Sequence, residues 1–354
     1  MANLWFFNPW NDLALATDSP FYTPPTAALE LQRSGESMPM WIANQNDYVL
    51  MGAEAKESYE IFSLTHNVAK PWEGQQIENC IPWGWSKATR QIFRNIGITD
   101  EFLPTDKKLD IWRNLSHRKT TILFHNQLSN TRKPYEAHSP EECKEVLKKW
   151  GKVIGKYPWS SSGRGLFQGV KEYQDSFLRR CIGCINHQGS VILEYQYDVA
   201  VDFAMLFYID SFNKVNYIGL SLFENNKRAY VGNYLLSQNE ILSFLSKYID
   251  PQLIIETKNN LIKLIEKEIA AFYTGPIGID MFIYMKDCYY FLNPCVEINL
   301  RYTMGFLAHA LSTRHFSNIK SFFKIIREEK INKDDMILNN NKSLFHFLIT
   351  PFYH

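Results

Sequence analysis

Asp280, Glu297 and Asn299 are the side chains best suited to holding a hard cation, because two extended runs deliver three oxygen donors to one place. Ile277 to Met285 alternates as a strand, with Ile277, Ile279, Met281, Ile283 and Met285 on one face and Asp280 on the other. Lys286 and Asp287 read as a turn and a second run continues through Leu292. In the VEIN that follows, Glu297 and Asn299 share a face while Val296 and Ile298 take the other. One or two carboxylates supplemented by substrate phosphates are what Mg²⁺ prefers. An edge hairpin with solvated acids would have the same pattern, so the upstream residues decide.

Upstream, Ser139-Pro-Glu-Glu142 reads as a capping box with proline at the first helical position, predicting a helix to Trp150 that Gly151 ends. KVIGKYP then supplies a strand with Lys156 at its end. It runs into Ser160, Ser161, Ser162, Gly163, Arg164 and Gly165, whose glycines let backbone N–H groups approach an anion. This is not the GxxxxGK[ST] phosphate loop, and no helix-forming run follows the glycines.

Lysine on a strand, a Ser/Gly loop, a strand ending in Glu194, a strand opening at Asp202, and the Asp280 hairpin with EINLR succeed one another along the chain. That order resembles the ATP-grasp superfamily over roughly Ser116 to Gly305, most specifically in EIN with Arg301 two positions on. The resemblance implies an α+β / α/β protein: two α+β lobes gripping ATP, preceded by a small α/β domain. The expected divisions are 1–113 for that first domain, 114–327 for the grasp with a hinge near 194–197, and 328–354 for a polar connection and a docking segment.

The resemblance also implies roles. Lys156 would hold the α and β phosphates, and the Ser160 to Gly165 loop would close over the nucleotide. Glu194 to Tyr197, including Tyr195 and Tyr197, would read adenine, with the Glu194 side chain accepting from its amine. Asp202 would meet the ribose hydroxyls, with Asp198 as a competitor. Asp280, Glu297 and Asn299 would hold two Mg²⁺ ions, with Mn²⁺ as a substitute, and Arg301 would steady the reacting phosphoryl group. The family's further basic residue is Arg118 or Lys119, and Lys227 or Arg228 could add a phosphate contact.

In FNPWNDLALA, Asn8, Asn11 and Asp12 follow the apolar run Leu4 to Phe7, as a first strand would deliver them to a crevice. Asn11, Asp12 and Arg228 are therefore substrate-site candidates. YTPPTAALELQRSG and PWGWSKATRQIFRNIG read as the helices of this first domain.

At 354 residues, with 45% hydrophobic content and a formal charge of 38 minus 37, or +1, the chain suits a two-domain cytoplasmic enzyme without nucleic-acid or membrane electrostatics. No basic leader or membrane-length apolar segment is expected. Cys181 and Cys184 with His187 lack the second pair that a structural zinc site needs, and no GxSxG is present. Leu261, Leu264, Ile265, Ile269 and Phe272 predict a core helix stripe. Past Gly305, HALSTRHFSNIKSFFKIIREEK reads as helix, INKDDMILNNNKS as a polar mobile connection, and SLFHFLITPFYH as a docking segment.

The resemblance implies an Mg²⁺-dependent ligase that activates a small-molecule carboxylate with ATP as an acyl phosphate for an amine to displace. A kinase acting on a hydroxyl, or an ATP-binding protein without turnover, would use the same cleft. Substrate identity and oligomeric state are not encoded in any of these motifs.

Overall fold

The computed structural model describes residues 2–128, 132–160, 165–226, 229–317, 319–327 and 331–352. Four short parallel strands in the order Lys70–Pro71, Tyr48–Val49, Asn3–Phe6 and Asn79–Pro82 make the first sheet. Asn3–Phe6 is covered on both sides: Leu4 and Phe6 enter one apolar cluster, Trp5 and Phe7 another. That two-sided burial is why the run is continuously apolar. Both helices expected beside it form, at Thr26–Ser34 and Lys87–Asn95, the second capped by Ser86 accepting from the Thr89 N–H at 3.2 Å.

A second, antiparallel sheet runs Tyr135–Ala137, Val191–Tyr195, Lys152–Lys156, Leu166–Val170. Helices Pro140–Trp150 and Gln174–Gln188 bury its Val153, Val191 and Leu193 face, where Cys143, Cys181 and Cys184 are also packed. Period two therefore turns Lys156 and Glu194 to the opposite, uncovered face. Ser139 does cap Glu142 N, but the Glu142 carboxylate accepts from His138 N instead of closing the box on Ser139.

The third sheet has eight antiparallel strands in the order Tyr289–Asn299, Gly275–Lys286, Asp198–Ile209, Val215–Asn226, Ala229–Leu235, Ser321–Arg327, Phe345–Pro351, Met336–Ile337. Phe203, Met205, Phe207, Ile277, Ile279 and Ile283 pack one face against Ile241, Leu261 and Ile265 of helices Gln238–Leu245 and Pro251–Glu268. Asp202, Ala204, Asp280 and Phe282 share the other face.

Several sequence expectations are corrected. Asp287 and Cys288, at φ 51° and 66°, form the two-residue turn, one position later than expected. The strand holding Asp202 begins at Asp198. Asp280 pairs with Glu297 but Phe282 with Asn293, so Pro294, Cys295 and Val296 bulge opposite Met281 alone. Proline has no ladder N–H to give, and the bulge brings Val296 into the wall beside Glu297 instead of leaving it with Ile298. Phe272 lies past the helix that ends at Glu268 and is 55% exposed, so it is not part of the stripe.

The expected long helix after Gly305 stops early. Helix Met304–Ala310 continues only as a π turn, Leu311–His315, and Ser321–Arg327 is a strand. Pairing with two neighbouring strands and burial of Phe323 outweigh helical spacing there. The asparagine-rich connection is anchored: Asn339 Nδ2 donates to Ser34 O at 2.9 Å, and Asn340 Nδ2 to Glu54 O at 3.1 Å. Phe347 docks edge-on against Phe7, ring centroids 6.1 Å apart. Among the described residues no helix is long and apolar enough to cross a membrane.

A Cβ at Gly232 would lie 2.2 Å from Phe323 O across the strand pair. Gly232→Ala is expected to cost roughly 1–3 kcal/mol by overpacking, read as a lower urea midpoint; an unchanged midpoint would disprove this strand pairing.

Candidate functional site

The uncovered face of the small sheet and the polar face of the large one enclose a cavity of about 740 Å³, within the range of ligand pockets. Ile154, Lys156 and Leu166 come from the small sheet; Tyr195, Gln196 and Tyr197 cross between the sheets; Asp202, Asp280, Phe282, Glu297, Asn299 and Arg301 come from the large one. Tyr197 lies 4.3 Å from Tyr284 and 5.6 Å from Phe282, ring to ring, giving one end an aromatic wall. Phe282 and Tyr284 went unnoticed in the sequence, although the alternation that separates Asp280 from the isoleucines also puts them on its face.

Asp280 and Glu297 are direct partners on adjacent strands, and Asn299 Nδ2 donates to Asp280 Oδ2 at 3.2 Å. Burial, and then the neighbouring Glu297 charge, hold the Asp280 carboxyl well above the usual range. Burial opposes ionisation of Glu297 too, yet the Arg118 charge and hydrogen bond bring its carboxyl below the ordinary value. Burial also pushes Asp202 up to about 6, while a hydrogen bond from Asn225 acts against it. Two crowded carboxylates and an amide oxygen fit a hard divalent cation, which would relieve their repulsion. Among the described residues no group of three or more His, Cys, Asp and Glu is placed to hold a metal ion; beside Asp280 and Glu297 the further oxygen is that of the Asn299 amide.

Among the described residues three cations reach this region, each already on a carboxylate. Lys156 Nζ is 2.6 Å from Glu194 Oε2, Arg118 Nη2 is 2.6 Å from Glu297 Oε1, and Arg301 Nη2 is 2.7 Å from Asp12 Oδ2. Arg118 also donates to Ser160 Oγ at 2.8 Å and to Tyr157 O. Of the pair left open by the sequence, buried Arg118 reaches Glu297 and borders the small cavity beside Asp12, while exposed Lys119 lines neither cavity.

No protein-family model and no curated protein matches the sequence. Solved structures do match in shape. N5-carboxyaminoimidazole synthetase from Staphylococcus aureus, complexed with ADP, aligns over 100% of this chain and 94% of its own, with TM-score 0.55 and 11% identity. Biotin carboxylase from Campylobacter jejuni, in a beta-gamma-ATP complex, aligns over 99% and 87%, with TM-score 0.53 and 12% identity. Phosphoribosylamine–glycine ligase from Thermotoga maritima aligns over 99% and 90%, with TM-score 0.55 and 10% identity. This chain has the ATP-grasp fold.

In this ATP-grasp fold, Lys156, Glu194, Tyr195, Tyr197, Asp202, Asp280, Glu297, Asn299 and Arg301 all line one cavity. Ser161, Ser162, Gly163, Arg164, Lys227 and Arg228 lie outside the described residues. Ser160 and Gly165 are the loop's base: Tyr157 N donates to Gly165 O at 3.0 Å, and a side chain at Gly165 would collide with Ser160. The Glu194 carboxylate pairs with Lys156 through Oε2, a partner that nothing local in the sequence announces. Asp202 lines the cavity across the strand pair from Phe282, on the face of Asp280, and its charge adds to the upward push on the Asp280 carboxyl. Asn11 and Asp12 do not line the large cavity. They border a small separate one shared with Ser116, Arg118, Ser160 and Arg301.

Lys156 and Glu194 are 6% and 11% exposed, so either alone would be a buried charge. Lys156→Met is expected to cost roughly 3 kcal/mol, and the double variant with Glu194→Gln to recover most of it. Denaturant unfolding without nucleotide checks this; additive losses would disprove the coupling.

His117 and His125 are pushed down to about 4, chiefly by burial, with Glu136 pulling His117 the other way. The unfolded chain takes up these protons below about 6.5 while the native imidazoles stay neutral. Their contribution is therefore complete above about pH 6.5 and falls away towards pH 4. His117→Gln is expected to flatten the fall in urea midpoint across that window, and an unchanged slope would remove His117 from the account.

Proposed function

We propose that the protein is an ATP-dependent ligase that activates a small-molecule carboxylate as an acyl phosphate for attack by an amine. The carrying observation is the cavity itself: a hard-oxygen trio, Asp280, Glu297 and Asn299, faces it from one sheet and the cation Lys156 from the other. The S. aureus and C. jejuni proteins of the same fold were solved with ADP and an ATP ligand, which supports a nucleotide in the equivalent cleft.

Tyr195, Gln196 and Tyr197 would receive the base, with Tyr197, Phe282 and Tyr284 as its apolar surroundings. Lys156 and Arg118 would exchange their carboxylate partners for phosphate oxygens. Asp280, Glu297 and Asn299 would hold Mg²⁺, which supplies charge neutralisation on the phosphates. A substrate carboxylate oxygen then forms a bond to the γ phosphorus as the bond to the β-bridging oxygen breaks and ADP leaves. The amine nitrogen next bonds the acyl carbon, phosphate departs, and the amine loses a proton. Such transfers depend on positioning and charge more than on covalent help from the protein, and Arg301 at the cavity wall would steady the moving phosphoryl.

Purified protein with Mg·ATP, hydroxylamine and a pool of small carboxylates is expected to give a hydroxamate in step with ADP. Glu297→Gln should lower this more than a hundredfold while the protein stays folded by circular dichroism. A phosphorylated alcohol in place of the hydroxamate would make the protein a kinase, and undiminished turnover in the variant would remove Glu297 from the site.

A further inference from the structure

Asp12 and Arg301 stand 289 positions apart and meet along one edge of the guanidinium. Arg301 Nε lies 3.0 Å from Asp12 Oδ1 and 3.1 Å from Oδ2, Nη2 lies 2.7 Å from Oδ2, and Nη1 donates to Tyr302 O at 3.2 Å. Guanidinium has five N–H groups. Three are engaged here, which leaves one on each terminal nitrogen. The side chains are only 16% and 14% exposed.

One partner sits on a helix and the other lies two residues past the end of a strand. Asp12 is in the first turn of helix Asn11–Thr17, just beyond strand Asn3–Phe6. Asn8 fastens that junction by donating to Gly84 O and Thr89 Oγ1, each at 2.9 Å, and Asn11 packs into the space left by Gly84. Arg301 follows Asn299 by two residues and lines the large cavity on one side and the small one beside Asp12 on the other. An unclamped arginine samples many rotamers, whereas a bidentate carboxylate fixes the plane of its fork.

We infer that Asp12 is a positioning residue. It does not touch substrate; it holds one edge of Arg301 so that the two remaining N–H groups face the transferred phosphoryl group. The first domain thereby sets the geometry of transfer. This rests on the nucleotide reading of the cleft.

The test titrates Mg·ADP by calorimetry with and without aluminium fluoride, a planar stand-in for the phosphoryl group in transit. Wild type should bind Mg·ADP and bind it more tightly with the fluoride. Asp12→Glu keeps the charge but shifts the fork by one methylene. It should keep its Tm and its Mg·ADP affinity within twofold while losing at least tenfold of the fluoride tightening. Arg301→Lys should lose as much, and the double variant no more than either. Asp12→Glu behaving as wild type, or weakening both complexes equally, would reduce the pair to a domain fastener and overturn the role. Tightening absent from wild type overturns it too while leaving the nucleotide site standing. Failure of wild type to bind Mg·ADP at all would remove the nucleotide reading and Asp12's role with it.

Discussion

A charge removed from water must be compensated where it lies, and around this cleft that requirement governs which residues touch. Glu297 without Arg118, Glu194 without Lys156, or Arg301 without Asp12 would each be a costly buried ion. Each pair joins separate segments: the stretch before Tyr135 to the large sheet, two strands of the small sheet to each other, and helix Asn11–Thr17 to the end of the large sheet's edge strand. Two of the three pairs, Arg118–Glu297 and Arg301–Asp12, thus tie the edge of the large sheet to segments outside it. A phosphate chain entering the cavity would have to compete with carboxylates for these cations.

Much of this was legible in the residues. Alternation from Ile277 to Met285 separated Asp280 from the core, and strand periodicity brought Lys156 to the end of Lys152–Lys156. Local signals also sufficed for the helix from Pro140 and for the one after Ser86, because caps act within a few residues. What could not be read was set by distant partners. Nothing near Ser321 announces the two strands that make it β, and nothing near Asn339 shows that Ser34 O awaits it. The choice between Arg118 and Lys119 depended on a glutamate 179 positions away. The pairing of Asp12 with Arg301 spans 289 positions and left no local mark either.

The bulge at Pro294 to Val296 shows how a backbone irregularity serves a site. A regular ladder from Asp280 onward would carry Val296 to the isoleucine face; the extra residues let Val296 and Glu297 both border the cavity. Ala204, the register partner of Asp280 on the next strand, leaves the floor beside the carboxylate low where any larger side chain would fill it.

The edge-on contact of Phe7 with Phe347 has a bearing on how the molecule is made. These rings are separated by 340 positions, so the apolar cluster they share stays incomplete until nearly the whole sequence has left the ribosome. At roughly 5–20 residues per second, the parallel strands beside Phe7 wait between roughly 17 and 70 seconds for their last packing partner. The small lobe, whose core draws only on residues from Ala137 to Leu193, has no such delay. Synthesis therefore delivers all of one first-sheet cluster by Leu103 and all of the small-lobe core by Leu193, before the partner of Phe7 emerges.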